Sequence, residues 1–177
     1  MNNVLQVAGI KRESLFDGPG IRMTLFVQGC PRDCYGCHNP ETRDPHGGVE
    51  MDIKEVLEYI NKSQNLDGIT YSGGEPFMQA EPLAVLGQEI KRLGLHLITY
   101  TGYTFEEIWE RSVYSESDAD LLRATQILVD GPYLHDEKEL NFPFKGSKNQ
   151  RIIDVASSLQ KGYPVTISHE LWGGVSA

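Results

Sequence analysis

The residues of this sequence best suited to chemistry form one short cysteine cluster. Its three cysteines, Cys30, Cys34 and Cys37, have the spacing C-x3-C-x2-C. An odd number of closely spaced thiols does not suit a disulfide framework. Three thiolates can bind three irons of a [4Fe-4S] cubane and leave the fourth iron open. The alternative is a structural zinc ion held by the thiolates and His38, but such sites usually draw ligands from two separated knuckles. The spacing therefore favours the cluster.

A glycine pair provides a second candidate site. Gly73 and Gly74 directly follow a predicted strand, Gly68–Ser72. Because glycine has no Cβ, it lets the backbone approach a ligand closely. Ligand sites in parallel sheets lie beyond the carboxyl ends of the strands. Since the cysteine cluster also follows a predicted strand, Ile21–Val27, we expect the thiols and the glycine pair at the same edge of the sheet.

Alternating strand and helix patterns extend along most of the chain and would position these groups. One helix is predicted from Asp52, which is placed to cap it, and another from Thr104, which forms a capping-box pattern with Glu107. Right-handed βαβ units are typical of such alternation, so we predict an α/β fold with a mainly parallel sheet. Besides the two strands already named, the predicted elements are strands at Val4–Ala8, Leu95–Tyr100, Gln126–Val129 and Arg151–Val155 and a helix at Glu81–Leu93, with a long loop at Pro31–Gly48.

The length of the chain limits its architecture. With 177 residues, it suits a single domain and falls short of the roughly 250 residues typical of a closed (β/α) barrel. A barrel-like arrangement would therefore be reduced and open. We predict one domain over residues 1–177, with a core at about 15–155 and a carboxyl-terminal tail at about 156–177.

The charge of the chain excludes two classes of partner. Its formal net charge is -9 and its isoelectric point is near 5.0. Nucleic acids and anionic membranes both call for a clustered positive surface. The amino-terminal residues also lack the apolar segment of a secretory signal. We therefore predict a cytoplasmic protein that binds neither nucleic acid nor membrane.

The cysteine motif resembles the signature of the radical S-adenosylmethionine (SAM) enzymes. The resemblance implies that Cys30, Cys34 and Cys37 ligate a [4Fe-4S] cluster whose fourth iron chelates the amino and carboxylate groups of SAM. Residues 36–38, which are Gly36, Cys37 and His38, would line the SAM pocket, and the backbone of Gly73 and Gly74 would contact the cofactor. Reduction of the cluster would cleave the sulfonium bond and release a 5′-deoxyadenosyl radical. The implied fold is a partial (β/α) barrel of the radical SAM type.

Within that superfamily, the sequence is similar to the enzymes that activate glycyl-radical proteins. The similar segments are Asp17–Arg22, Phe26–Cys30 and Cys37–Pro40. In pyruvate formate-lyase activating enzymes, the residue before the third cysteine is usually an aromatic side chain that packs on adenine. Here that position is Gly36, which activators of the anaerobic ribonucleoside-triphosphate reductase can also carry.

Three later segments also resemble the reductase activators. They are Tyr100–Tyr103, Ile127–Tyr133 and Lys145–Gln150. One position departs from this pattern, since Cys37-His38-Asn39 is the form seen in formate-lyase activators. The resemblance implies an activase that takes an electron from reduced flavodoxin or ferredoxin. Its target would be a glycine in the large subunit of the anaerobic reductase or in another glycyl-radical enzyme. A non-catalytic zinc-binding module is the alternative from a different class.

Several other polar residues have simpler explanations. Glu75 is expected to brace the turn after the glycine pair. Asp130 could support a SAM-side or cation site, but a carboxylate that ends a strand beside Gly-Pro usually forms a turn. His38 is equally compatible with stacking near adenine and with a hydrogen bond inside its loop. The remaining histidines and the tyrosines of the later segments are expected to be packing or surface residues; these are His46, His96, His135, His169, Tyr100, Tyr103 and Tyr133.

Overall fold

A single seven-stranded sheet forms the centre of the described structure. The computed structural model describes residues 3–139 and 143–168 together with Trp172. The strands in these residues are β1 (Val4–Ser14), β2 (Arg22–Val27), β3 (Val49–Asp52), β4 (Gly68–Gly73), β5 (His96–Tyr100), β6 (Ile127–Asp130) and β7 (Arg151–Asp154). Their order across the sheet is β3-β1-β2-β4-β5-β6-β7.

The middle of the sheet is parallel and its edges are antiparallel. β2 pairs with β4, β4 with β5 and β5 with β6, all in parallel. β1 and β3 extend one edge and β7 extends the other, each by antiparallel pairing. The predicted α/β class with a mainly parallel sheet is confirmed. Within the described residues β3 and β7 end the sheet without pairing with each other, so the partial barrel is open, as expected.

Five α-helices occur in the described residues: α1 (Ile53–Lys62), α2 (Ala80–Arg92), α3 (Phe105–Ser112), α4 (Glu116–Ala124) and α5 (Val155–Lys161). The first three correspond to the predicted helices, and both predicted caps are present. Asp52 forms a capping box with Glu55, and Thr104 forms one with Glu107. A 3₁₀ helix, Pro76–Gln79, leads into α2. None of these helices combines the length and apolar character needed to cross a bilayer.

The ends of the chain differ from the sequence expectation. β1 continues to Ser14 instead of stopping at Ala8, because its pairing with β2 resumes after two register shifts. The sheet therefore begins before residue 15, the expected start of the core. Part of the expected tail is also packed: it contains most of α5, and Thr166 bridges to Ile153 in β7. His169 and residues 173–177 lie outside the described residues.

The two faces of the sheet have different environments. The helices cover one face and bury the main apolar core, to which the strands contribute alternate residues such as Leu25, Tyr71 and Leu128. The opposite, concave face has a smaller apolar cluster that includes Ile98. Because side chains alternate along a strand, this face also receives the buried hydroxyl of Thr24. Stability therefore comes mostly from the helix side, which leaves the concave face available for polar chemistry.

Arg22 joins the amino ends of three parallel strands. Its side chain is 1% exposed, and Nη2 donates to the carbonyl oxygens of Ile69 (2.5 Å) and His96 (2.9 Å). Nε donates to the hydroxyl of Thr70 (2.7 Å). Burial lowers the pKa of Arg22 to about 10, so the guanidinium is still charged at neutral pH.

Substitution of Arg22 should therefore destabilise the fold. In Arg22→Met, the buried acceptors lose their donor, and each unpaired acceptor costs about 1–3 kcal/mol. We expect the free energy of unfolding, measured by urea titration, to fall by more than about 2 kcal/mol. Arg123→Met is the matched control, because Arg123 is exposed and pairs with Asp120 at the surface; its loss should stay below about 1 kcal/mol. Equal losses in the two variants would contradict this role of Arg22.

Candidate functional site

The cysteine loop leaves the carboxyl end of β2 and is held by residues that follow it in the chain. The N–H of Gly29 donates to the carbonyl of Thr42 (2.8 Å), and the N–H of Cys30 donates to the carbonyl of Arg43 (3.1 Å). The Arg43 guanidinium donates in turn to the carbonyl of Cys34 (2.9 Å). The protein's own hydrogen bonds thus determine the shape of the loop. Its three cysteines form no disulfide bond with one another and are half-buried.

All three thiols line one small cavity of about 150 Å³, which we call the cysteine cavity. Gly73 and Gly74 form its wall at the end of β4. The remaining wall comes from segments that follow β5 and β6 and precede β7, and includes Thr101, Gly102, Gly131, Tyr133 and Gln150. The structure therefore places the thiols and the glycine pair together at the carboxyl ends of the parallel strands.

The glycine pair allows β4 to approach the cysteine loop. A Cβ on Gly74 would overlap the carbonyl oxygen of Gly29, and one on Gly73, where φ is +98°, would lie 2.6 Å from the backbone nitrogen of Val27. The N–H of Gly74 already donates to the carbonyl of Val27 (2.8 Å). Cofactor contact by Gly73 and Gly74 remains a prediction, and this bond means that the Gly74 N–H is not the group that would make it.

Two other predicted cofactor contacts, Gly36 and His38, are exposed. His38 lines the cysteine cavity, and its ring centroid is 4.7 Å from that of Tyr133. Gly36 lies beside the cavity rather than in its lining. It has a φ of +71°, and a Cβ at this position would overlap the ring of His135. The roles of Gly36 and His38 toward a cofactor remain predictions.

Glu75 ties the loop after β4 to the loop after β5. Its carboxylate is buried and accepts hydrogen bonds from the Thr101 hydroxyl (2.8 Å), the Gly102 N–H (2.8 Å) and the Phe77 N–H (3.0 Å). Burial raises the pKa of Glu75, while these hydrogen bonds and the nearby Arg32 oppose the increase. The expectation that Glu75 braces the turn was too narrow, because this carboxylate connects two strands of the site.

Asp130 has a similar structural role at the end of β6. It is 1% exposed and accepts from the N–H of Phe105, at the start of α3, at 2.7 Å. Arg151 in β7 donates to it through Nε (3.0 Å) and Nη2 (2.5 Å) and also contacts Glu106 (2.6 Å). The hydrogen bonds from Arg151 lower the pKa of Glu106. Asp130 thus joins a strand, a helix and the sheet edge instead of forming an isolated turn.

Sequence reasoning missed Arg32, which lies between the first two cysteines. Its guanidinium carbon is 4.9 Å from the centroid of the Tyr103 ring, and Nη2 lies 3.5 Å from a carboxylate oxygen of Glu107. A Cβ on Gly102 would lie 2.6 Å from Cδ of Arg32, so this glycine leaves space for the arginine. These contacts join residues far apart in the chain, and no local pattern predicts them.

The electrostatic environment of the thiols is mixed. Burial raises the pKa of the Cys30 thiol, and the negative charges of Glu75 and the other thiols raise it further. A hydrogen bond from the backbone of Arg32 has the opposite effect. Iron is bound by thiolates rather than by thiols. In a bound cluster, the positive charge of the iron would take the place of the proton on each sulfur atom.

The donor set and the surrounding backbone fit a cubane cluster. The three soft sulfur ligands favour iron–sulfur chemistry, they line a common cavity, and glycines leave the adjoining wall uncrowded. Among the described residues, no three His, Cys, Asp or Glu side chains are gathered around a single metal-ion position. A cubane does not require such an arrangement, because each thiolate binds a different iron.

Comparisons with known proteins agree with this site. A family model described as a 4Fe-4S single cluster domain matches residues 16–153. The anaerobic ribonucleoside-triphosphate reductase-activating protein of Vibrio cholerae is 32% identical over 145 residues, which cover 77% of this chain and 89% of that protein. A solved structure, QueE from Escherichia coli, aligns at 17% identity with a TM-score of 0.44 over 57% of this chain and 53% of that one, a likeness too partial to add to the assignment.

Pyruvate formate-lyase-activating enzymes are similar to an equal degree. The protein of Clostridium pasteurianum is 34% identical over 134 residues, 71% of this chain and 55% of that protein. The protein of Listeria monocytogenes is 34% identical over 180 residues, 97% of this chain and 71% of that protein. The chain thus spans about half the length of the first of these enzymes and under three quarters of the second.

The fold and the site together define a radical SAM enzyme. The chain belongs to the 4Fe-4S single cluster domain family and, within it, to the activating enzymes of glycyl-radical proteins. Its cofactors are a [4Fe-4S] cluster and SAM. This assignment replaces the alternative of a non-catalytic zinc module.

Removal of one thiol should eliminate the cluster without unfolding the protein. In Cys34→Ala, we expect the iron and sulfide content after anaerobic reconstitution to fall to background, because one of the three protein ligands is lost. Circular dichroism should remain that of the wild type, since the apolar core lies on the other face of the sheet. Glu41→Ala, an exposed change in the same loop, should retain its iron. Unfolding of Cys34→Ala would show instead that the site is structural.

Loss of the Glu75 charge should loosen the connection between β4 and β5. Glu75→Gln turns an amide NH₂ toward groups that are themselves donors, and we expect the free energy of unfolding to fall by about 1–3 kcal/mol. Affinity for SAM, measured by equilibrium dialysis on the reconstituted protein, should weaken as well. Glu58→Gln, at an exposed pair on α1, is the control and should change neither quantity. The role of Glu75 is wrong if its variant behaves like this control.

Proposed function

We propose that the chain is a single-domain activase that installs a glycyl radical on the anaerobic ribonucleoside-triphosphate reductase. The observation that carries the proposal is the position of the segment Lys145–Gln150, which resembles the reductase activators. Gln150 lines the cysteine cavity and accepts from the N–H groups of Gly146 (2.8 Å) and Ser147 (3.2 Å). Asn149 donates to the carbonyl of Pro132 (2.8 Å). The distinguishing segments are thus part of the site wall.

The thiols and their loop would hold the cofactors in this reaction. When bound, the cluster and SAM together supply one-electron chemistry that no amino-acid side chain provides. Cys30, Cys34 and Cys37 would ligate the cluster, and the hydrogen bonds from residues 29–30 and 43 would keep their loop in position. Glu75 and the two glycines would keep the neighbouring backbone close and limit access of water.

A second cavity supports entry of a target backbone. This groove, of about 380 Å³, lies along the concave face and shares His38, Ser72, Tyr100 and Tyr133 with the cysteine cavity. A glycine entering it would bring its Cα hydrogen near the cofactor site. Transfer of that hydrogen atom to the adenosyl radical that SAM would supply would leave a glycyl radical delocalised over the flanking amides. We place the reaction in the cytoplasm, where thiols remain reduced, and propose reduced flavodoxin or ferredoxin as the electron donor.

The alternative candidate for the target is pyruvate formate-lyase or another glycyl-radical enzyme. It is favoured by the 34% identity to formate-lyase activators and by the Cys37-His38-Asn39 sequence. The reductase is preferred because three separate segments after residue 99 resemble its activators, whereas His38 is a single position.

Electron paramagnetic resonance distinguishes the two targets. The reconstituted protein is incubated anaerobically with SAM, reduced flavodoxin and either the reductase large subunit or pyruvate formate-lyase. We expect a glycyl-radical doublet on the reductase, and none when Cys34→Ala replaces the wild-type activase. A doublet on the formate-lyase alone would overturn the proposed target while leaving the activase chemistry intact.

A further inference from the structure

Two side chains of opposite charge line the cysteine cavity beside the thiols. Within the described residues, the lining includes one arginine, Arg32, and one glutamate, Glu75, and no lysine or aspartate. Arg32 lies between the first two cysteines in the sequence. The N–H of Glu75 donates to the carbonyl of Gly29, the residue before Cys30, at 2.7 Å. A positive and a negative charge are therefore held close to the backbone that carries the thiols.

The hydrogen bonds of Glu75 are those of an ionised carboxylate. Oε1 accepts from the Phe77 N–H and the Thr101 hydroxyl, and Oε2 accepts from the Gly102 N–H. Both oxygens thus act as acceptors, whereas a protonated carboxyl group would present a donor to these groups. Burial raises the pKa of Glu75, but the three hydrogen bonds and the charge of Arg32 oppose the increase. Three donors and a nearby cation therefore stabilise a buried negative charge.

The positive charge of Arg32 is only partly compensated. Nη2 lies 3.5 Å from a carboxylate oxygen of Glu107, a long contact between partly exposed side chains. Nε is buried and has no hydrogen-bond partner within the described residues. The guanidinium carbon lies 4.9 Å from the centroid of the Tyr103 ring, which holds the group in place without neutralising it. Arg32 therefore contributes a net positive charge to the cavity wall.

The carboxylate has the stronger effect on the thiols because it is more deeply buried. Glu75 is 1% exposed, whereas the Arg32 side chain is 27% exposed. Water and salt screen an exposed charge much more than a buried one. Burial is the main reason why the pKa of the Cys30 thiol is raised, and the negative charge of Glu75 adds to the increase. The two charges together therefore leave a negative electrostatic potential at the thiols.

A charge beside an iron–sulfur cluster changes the free energy of adding an electron to it. Reduction makes the cluster more negative, so a nearby anion opposes reduction and a nearby cation favours it. In the radical SAM reaction, the electron that reduces the cluster is passed on to the sulfonium group of SAM. A lower reduction potential makes the reduced cluster a stronger donor of that electron, but it also makes the cluster harder to reduce.

We propose that the charge of Glu75 lowers the reduction potential of the bound cluster and that the charge of Arg32 partly offsets this effect. Glu75 thereby favours electron transfer to SAM, and Arg32 keeps the cluster reducible by the external electron donor. Neither side chain needs to contact the cluster, since charges interact over several ångströms where the dielectric constant is low. The proposal rests on the [4Fe-4S] cluster as the cofactor and is independent of the identity of the target enzyme.

The alternative is that Glu75 only connects the loops after β4 and β5. In that case, its loss would loosen the site and admit water, and loss of another buried carboxylate that organises these loops would have the same effect. Asp130 is the matched control. It is 1% exposed and accepts the N–H of Phe105, but it pairs directly with Arg151 and does not line the cysteine cavity. Loss of its charge should lower stability without changing the reduction potential.

The test is a potentiometric titration of the reconstituted protein without SAM, in which electron paramagnetic resonance measures the reduced cluster and iron content is determined on the same samples. At a fixed applied potential, we expect Glu75→Gln to raise the ratio of reduced to oxidised cluster by roughly tenfold, equivalent to about 59 mV for a one-electron couple. Arg32→Met should lower the ratio by roughly threefold. Arg32→Lys, which retains the charge, should stay close to the wild type, and Asp130→Asn should leave the ratio unchanged.

The opposite signs of the two shifts separate a charge effect from loosening of the site. An equal increase in Glu75→Gln and Asp130→Asn would overturn the proposal, and so would an unchanged ratio in Glu75→Gln. Arg32→Met provides an independent result if Glu75→Gln does not retain its cluster: a lower ratio supports the proposal, and an unchanged or higher ratio overturns it. Because the assay contains no target enzyme, a wrong choice of target cannot produce any of these results.

Discussion

The close contact between Gly29 and Gly74 is the constraint on which the rest of the site depends. A Cβ on Gly74 would overlap the Gly29 carbonyl, and that carbonyl accepts the N–H of Glu75 at 2.7 Å. Because Gly74 has no side chain, the backbone hydrogen bonding between β2 and β4 continues for one residue pair beyond the ends of these strands. Cys30 and Glu75 follow directly, so the first thiol and the carboxylate that organises the neighbouring loops begin from the same backbone contact.

Two buried carboxylates hold the ends of the remaining strands and their loops in fixed positions. Glu75 connects the ends of β4 and β5, and Asp130 connects β6 with α3 and, through Arg151, with β7. A buried carboxylate is stable only where donors surround it, so each one fixes the positions of several loop groups. Loops that hold a cofactor need such support from rigid elements. Here the support comes from Glu75 and Asp130, each of which follows or ends a strand and accepts hydrogen bonds from neighbouring elements.

Local signals account for what could be predicted from the sequence. The capping boxes at Asp52 and Thr104, the apolar periodicity of α1 and α2 and the spacing of the thiols all depend on residues a few positions apart. β3 was missed because its four residues are half-buried or exposed and form an edge, and α4 because its sequence is largely polar. The Glu75–Thr101 hydrogen bond and the position of His135 over Gly36 depend on tertiary contact, which periodicity does not reveal.

The separation of stability from chemistry explains how one fold can serve several targets. The main core lies between the helices and one face of the sheet, whereas the cysteine cavity and the groove lie at the strand ends and on the other face. Changes in the loops after β6 can therefore alter what enters the site at little cost to folding. Near-equal sequence identity to two kinds of activating protein is then expected, because most of the identical residues would lie in the shared core and the cysteine loop.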